Sequence, residues 1–185
     1  MTTESRTAEL GVLDRSAPDP RLRYERRLQH APELVWRALT EDEHLDAWFP
    51  TTIEGERATG APLRFAFPAE LSVPPMEGRV LTFDPPRLLE FVWGPDTLRF
   101  ELHADGRATR LVFTVTLEAI GKAARDGAGW HVCLENLVLD LNGEAHRAGQ
   151  DGRWRQVHPA YVAGFGPDAA TDGPPQEWED AYGEP

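Results

Sequence analysis

"YERRLQHAPELVWRALTEDEHLDAWF", residues 24–49, decides the fold. It begins inside an alternating segment, "RLRYERRL" (21–28), which puts Leu22, Tyr24 and Leu28 on one side. Arg21, Arg23, Glu25 and Arg27 fall on the other. A period of two marks a half-buried strand. Arg26 stands on the apolar side and breaks it. Pro32 then suits a first helical turn, where a missing N–H costs nothing. Leu34, Val35, Trp36 and Leu39 follow as a short amphipathic face. Thr40 and Glu43 have capping-box spacing, which predicts a second helix carrying Leu45, Trp48 and Phe49. Pro50 stops it.

Beyond Pro50 the period returns to two. "TTIEGERA" (51–58) reads as a weak strand, and "LRFAF" (63–67) as a stronger one. "MEGRVLTF" (76–83), "LLEFVW" (88–93), "TLRFELH" (97–103) and "ATRLVFTVTLEAI" (108–120) follow. Short turns at Gly60-Ala61-Pro62, "DPPR", Gly94-Pro95-Asp96 and Asp105-Gly106 separate most of them. With 21–28 this gives seven strands, and an antiparallel meander is expected. The period changes once more in "GAGWHVCLENLVLDLNGE" (127–144). Trp130, Leu134, Leu137, Val138 and Leu141 share one helical face, and Gly143 suits the residue after a helix end. A helix is predicted over 127–142. A polar connector (146–153) leads to "WRQVHPAYVAGFG", read as a short or broken helix packing back through Trp154, Val157, Tyr161, Val162 and Phe165.

Three segments result: a flexible arm over 1–20, a folded domain over 21–166 and an acidic disordered tail over 167–185. The net charge is −12, and 168–185 hold six acids without a Lys or Arg, so the rest carries only −6. That balance argues against nucleic acid, because nothing offsets phosphate repulsion. Cys133 is the single cysteine, so no internal disulfide forms. There is no apolar signal core at the N-terminus and no run of about 20 apolar residues. A cytoplasmic protein with no membrane partner is expected.

A seven-stranded sheet cannot leave its apolar face in water, and 127–142 is the one long helix available to cover it. A bent sheet over one helix leaves space between them, which two short helices plug at one end. Four stretches carry a resemblance at this point: "APELVWRALTEDEHLDAWF" (31–49), "EGRVLTFDPPRLLEFVW" (77–93), "ELHADGRATRLVFTVTL" (101–117) and "GWHVCLENLVLDLNG" (129–143). Together they resemble the SRPBCC (START/Bet v 1-like) superfamily, in the branch named for activators of the heat-shock protein 90 ATPase. The likeness extends over 21–166. It implies an α+β helix-grip fold, a curved antiparallel sheet of six or seven strands around a long C-terminal helix. It also implies a cavity between sheet and helix, walled by Phe65, Phe67, Phe83, Trp93, Phe100 and Phe113. Trp48 and Phe49 would sit near its mouth, with Trp130, His131 and Leu134 facing it from the helix. Strand parity puts Arg79 with Leu81 and Phe83, either as an inward cation able to meet a carboxylate or, where the strand end reaches past the core, as a wet residue.

The expected function is binding of a small apolar or aromatic molecule in that cavity, without cofactor or metal. No two of the six histidines have ligand spacing, and His131 and Cys133 lie about 200° apart around the helix. Two alternatives stay open. One is a cyclase- or hydratase-type enzyme using His131 or Arg79 as its polar group. The other is an interaction module contacting a chaperone or a second copy of the chain. The short arm sets the expectation against chaperone activation, since it cannot supply a second partner-binding domain.

Overall fold

The strand read first runs over Arg21–Leu28 (β2), and its inward residues Leu22, Tyr24 and Leu28 are buried. The computed structural model describes residues 9–144 and 152–182. Two helices follow β2, Pro32–Thr40 (α1) and Asp42–Trp48 (α2). They join without the expected capping box. The Thr40 hydroxyl turns back to donate to the Trp36 carbonyl at 2.8 Å, and no side chain caps α2. The remaining strands are Thr52–Glu54 (β3), Pro62–Ala66 (β4), Met76–Asp84 (β5), Leu88–Trp93 (β6), Asp96–Asp105 (β7) and Ala108–Thr116 (β8). An eighth strand, Val12–Asp14 (β1), pairs with β2 from within the segment read as a loose arm. Its three residues are too few to show a period, which is why alternation missed it.

The eight strands form one antiparallel sheet in the order β1-β2-β8-β7-β6-β5-β4-β3. The curved sheet is not closed, and it grips the long helix Ala123–Leu141 (α3), which gives the helix-grip fold. That helix starts earlier than the apolar face predicts. Ala123, Ala124 and Ala128 are buried although too small to signal a face, and Gly127 lies among them. A second helix, Arg153–Phe165 (α4), packs on the far side of α3 and runs unbroken through Pro159. Most of the expected connector, 145–151, lies outside the described residues. Part of the expected disordered tail is ordered: a 3-10 turn at Pro167–Ala169 and a helix over Gln176–Tyr182 (α5). Residues 1–8 and 183–185 lie outside the described residues.

The sheet's inner face carries a ladder of rings. Phe65 stacks on Phe91, Phe91 on Phe100, Phe100 on Phe113 and Phe113 on Tyr24, with centroids 5.8, 6.2, 4.3 and 5.8 Å apart. The ladder has to cross β5 between Phe65 and Phe91. Gly78 makes this possible. A Cβ there would collide with the Val92 carbonyl oxygen and come within 2.7 Å of the Phe65 ring. At the other end of the sheet, Lys122 is buried just before α3. It donates to Asp96 Oδ1 at 2.7 Å, and the same oxygen accepts from the Glu118 N–H at 2.9 Å. This fixes where β7, the end of β8 and the start of α3 meet.

Gly78→Ala is expected to destabilise the fold by about 2–3 kcal/mol, as overpacked core sites do. Urea denaturation measures it. A variant as stable as the wild type would show that Phe65 does not depend on the missing side chain.

Candidate functional site

The expected aromatic wall comes together, but the rings lie on one another. Trp130 of α3 meets Phe113 at 5.3 Å, Trp93 at 5.2 Å and Phe49 at 5.7 Å. Trp48 and Phe49 are not at a mouth. Trp48 is buried in the core, edge-on to Phe100, with its Nε1–H donated to the Ala38 carbonyl at 2.8 Å. Phe67 and Phe83 are half-buried at the margins, against Trp93 and Trp36 respectively.

Arg79 corrects the sequence reading. It is exposed, because β5 contains an irregularity between Val80 and Thr82. Val80 faces inward opposite Phe91, and Phe83 pairs with the inward Leu89. Counting alternate residues back from Phe83 therefore crosses the bulge and arrives on the wrong face.

His131 is also elsewhere. It is 1 % exposed and faces α4, where its Nδ1 lies 2.9 Å from Tyr161 Oη. That phenol also accepts from the Gly11 N–H at 2.9 Å, so one buried hydroxyl ties α3, α4 and the approach to β1. Gly127 leaves room for it, since a Cβ there would come within 2.7 Å of the Tyr161 ring. Tyr24 donates its own hydroxyl to the Gly127 carbonyl at 2.8 Å. The imidazole's Nε2 lies 3.3 Å from Glu135 Oε1 but misses hydrogen-bond geometry. Cys133 is buried, and burial pushes its thiol up to about 12, so the thiolate that nucleophilic chemistry needs is not formed. No group of three or more His, Cys, Asp or Glu among the described residues is placed to hold a metal. No described helix is long and apolar enough to cross a membrane.

An open cleft lies beside the ladder, between β2 and the C-terminal half of α3. Its volume is about 390 Å³. Leu28, Leu134, Val138 and Leu141 form its apolar surface, and of the expected wall residues only Leu134 reaches it. Strand and helix run alongside each other here. His30 meets Asn142 at one end, Nε2 to Oδ1 at 3.1 Å, and Arg26 and Glu135 line the other. The seven steps from Glu135 to Asn142 make this wall about 10 Å long.

Arg26 is the residue that the sequence reading did not select. Its signal was present as the break in the apolar side of "RLRYERRL". Its Nη1 donates to the Glu25 carbonyl at 2.8 Å, and its guanidinium carbon lies 5.8 Å from the centre of the Tyr24 ring. Its Nη2 is buried and has no hydrogen-bond partner among the described residues. Burial lowers the Arg26 pKa from its usual value, as desolvation does to any cation. Glu135, in contrast, is well satisfied: Arg153 grips it with two bonds of 2.7 and 2.8 Å.

Comparison with known proteins agrees with this architecture. The family model described as "Activator of Hsp90 ATPase homolog 1-like protein" matches residues 29–140. Among solved structures, the conserved protein of unknown function EF2215 from Enterococcus faecalis is similar at 23% identity and a TM-score of 0.68. The match covers 83% of this chain and 88% of that one. CalU16 from Micromonospora echinospora is similar at 20% identity and a TM-score of 0.64, covering 84% and 96%. DynU16, from the dynemicin biosynthetic locus, is similar at 23% identity and a TM-score of 0.61, covering 70% and 50%. No functionally curated protein matches.

The Glu135 cluster has a pH signature. Burial, the largest single influence, raises this carboxyl. The two hydrogen bonds and the charge of Arg153, with the His131 ring 3.3 Å away, outweigh it and bring the group down to about 2, from an ordinary 4.5. A carboxyl depressed by folding stabilises fully above its unfolded value, and that contribution is lost as the pH falls towards the folded one. Between pH 5 and pH 2 the melting temperature of the wild type is therefore expected to fall more steeply than that of Glu135→Gln. Parallel melting curves across that range would remove Glu135 from the account of acid stability.

Proposed function

We propose a function for this chain on one premise: it belongs to the family of Activator of Hsp90 ATPase homolog 1-like proteins, whose model spans more than half of its length. The chain binds a small apolar or aromatic molecule between its sheet and its long C-terminal helix. The ligand lies in the cleft along Leu28, Leu134, Val138 and Leu141, and no covalent step is assigned to it. The observation that carries this reading is the cleft itself. A space of about 390 Å³ falls within the range of small-ligand sites, and its surface joins an apolar floor to a few polar groups. The aromatic residues act behind that floor. Trp130, Phe113 and Phe100 pack solidly under the sheet and hold α3 at a fixed height, so the cleft wall is preformed. Preformed walls spare a ligand the cost of ordering them.

The origin of DynU16 in a biosynthetic locus supports a small-molecule role for this fold. His131 is held by Tyr161 behind the cleft, which favours binding over acid–base chemistry at this residue.

N-phenyl-1-naphthylamine, a neutral fluorescent aromatic, tests the cleft. The expected result is a saturable fluorescence rise with the wild type and at least tenfold weaker binding with Val138→Trp. Val138 is half-buried, so the indole fills the cleft while the melting temperature moves by only a few degrees. Absence of saturable binding, or equal binding by the variant, would overturn the reading.

A further inference from the structure

We infer that the cleft selects an amphiphile with an acidic head: a small carboxylic acid whose carboxylate pairs with Arg26 while its apolar body lies along Leu28, Leu134 and Val138. This rests on the cleft being the binding site proposed above.

The inference starts from the strand. Leu22, Tyr24 and Leu28, the other inward positions of β2, are buried and packed. An arginine among them places a cation on the apolar side of a sheet, where charges are costly unless paired. Two of the three outward arginines of the same strand are paired: Arg27 with Asp105 at 2.6 Å, and Arg23 with Glu25 at 3.4 Å. The inward one keeps Nη2 buried without a partner among the described residues, at the end of a cleft that it lines. The carboxylate on the opposite wall does not serve it. Glu135 is held by two bonds from Arg153, which directs its oxygens towards α4.

The head group follows from the same count of charges. A guanidinium bonds a carboxylate with short charge-assisted hydrogen bonds. A phosphate dianion would call for a second unpaired cation, whereas Arg27, which also lines the cleft, is paired with Asp105, and Glu135 stands on the opposite wall. The body follows from length. About 10 Å of apolar wall between Glu135 and Asn142 accommodates a ring with a short chain, or an acyl chain of several carbons.

The test compares 4-phenylbutyrate with its neutral isostere 4-phenylbutanamide by isothermal titration calorimetry, using the full chain. Wild type is expected to bind the acid at least tenfold more tightly than the amide. Arg26→Met is expected to bring that ratio to about one by weakening the acid alone, since the amide needs no cation. Arg26→Lys, which keeps the charge but not the planar fork, is expected to retain only part of the ratio, and it serves if the Met variant fails to fold. Equal binding of acid and amide by wild type, or an undiminished ratio in both variants, would overturn the acid preference and leave the cleft reading intact. If neither compound binds while the naphthylamine does, the acid preference again falls alone. If none of the three binds, both readings fall.

Discussion

Trp130 sets the distance between the long helix and the sheet. Its indole meets Phe113 from β8, Trp93 from β6 and Phe49 beyond α2, all within 5.7 Å. Three directions of approach are blocked at once, so α3 can neither sink towards the sheet nor slide along it. The ring ladder beneath passes the constraint from β4 to β2. Its continuity depends on one absent side chain, at Gly78. Interiors packed in this way respond to a change of a single methyl group, because no free volume absorbs it. The same packing explains why the open space is displaced. Where rings face rings, nothing is left open. Beyond Trp130 the helix offers Leu134, Val138 and Leu141, and β2 offers Arg26 and Leu28. These aliphatic chains do not span the gap, and a cleft remains.

The chain deals with inward charge in two ways. Lys122 is buried on Asp96 at 2.7 Å, with the Glu118 N–H on the same oxygen, a closed arrangement that fixes the start of α3. Arg26 is open. It has one backbone acceptor and one ring face, and a nitrogen left over. Lys122 is thus bound wholly into the fold, whereas Arg26 keeps one nitrogen without a partner among the described residues, the one on which the proposed acid preference rests. The polar contacts at the back of α3 belong to the first kind. Tyr161, His131, Glu135 and Arg153 fasten α4 to α3 and keep the cleft wall in place from behind.

Much of the architecture was legible in the sequence because period is a local property. Alternation located β2 to within its last residue, and the 3.6-residue face located most of α3. It failed where local signal is weak or interrupted. β1 has three residues, and the first turns of α3 are alanine and glycine. The bulge after Val80 reversed the parity that had turned Arg79 inward. The capping pair at Thr40 and Glu43 lost to a simpler bond, from the Thr40 hydroxyl to the carbonyl one turn back. In the candidate site, Leu134 was found from periodicity. Arg26 was seen only as a defect in it.

By itself, then, the sequence determined the order of most elements and most of their inward faces, which follow from the side chains that water rejects, residue by residue. The family was carried separately, by the likeness of four stretches to its members. Only the tertiary structure decided whether the enclosed space is full or empty, and where. That depends on how rings from β4, β6, β7, β8 and α3 interlock across long separations in the chain. It also decided that His131 faces a helix rather than the cleft, and that Arg26 lines the cleft with one nitrogen buried and unpartnered among the described residues. Neither fact is a property of the residue. Each is a property of what other segments put beside it.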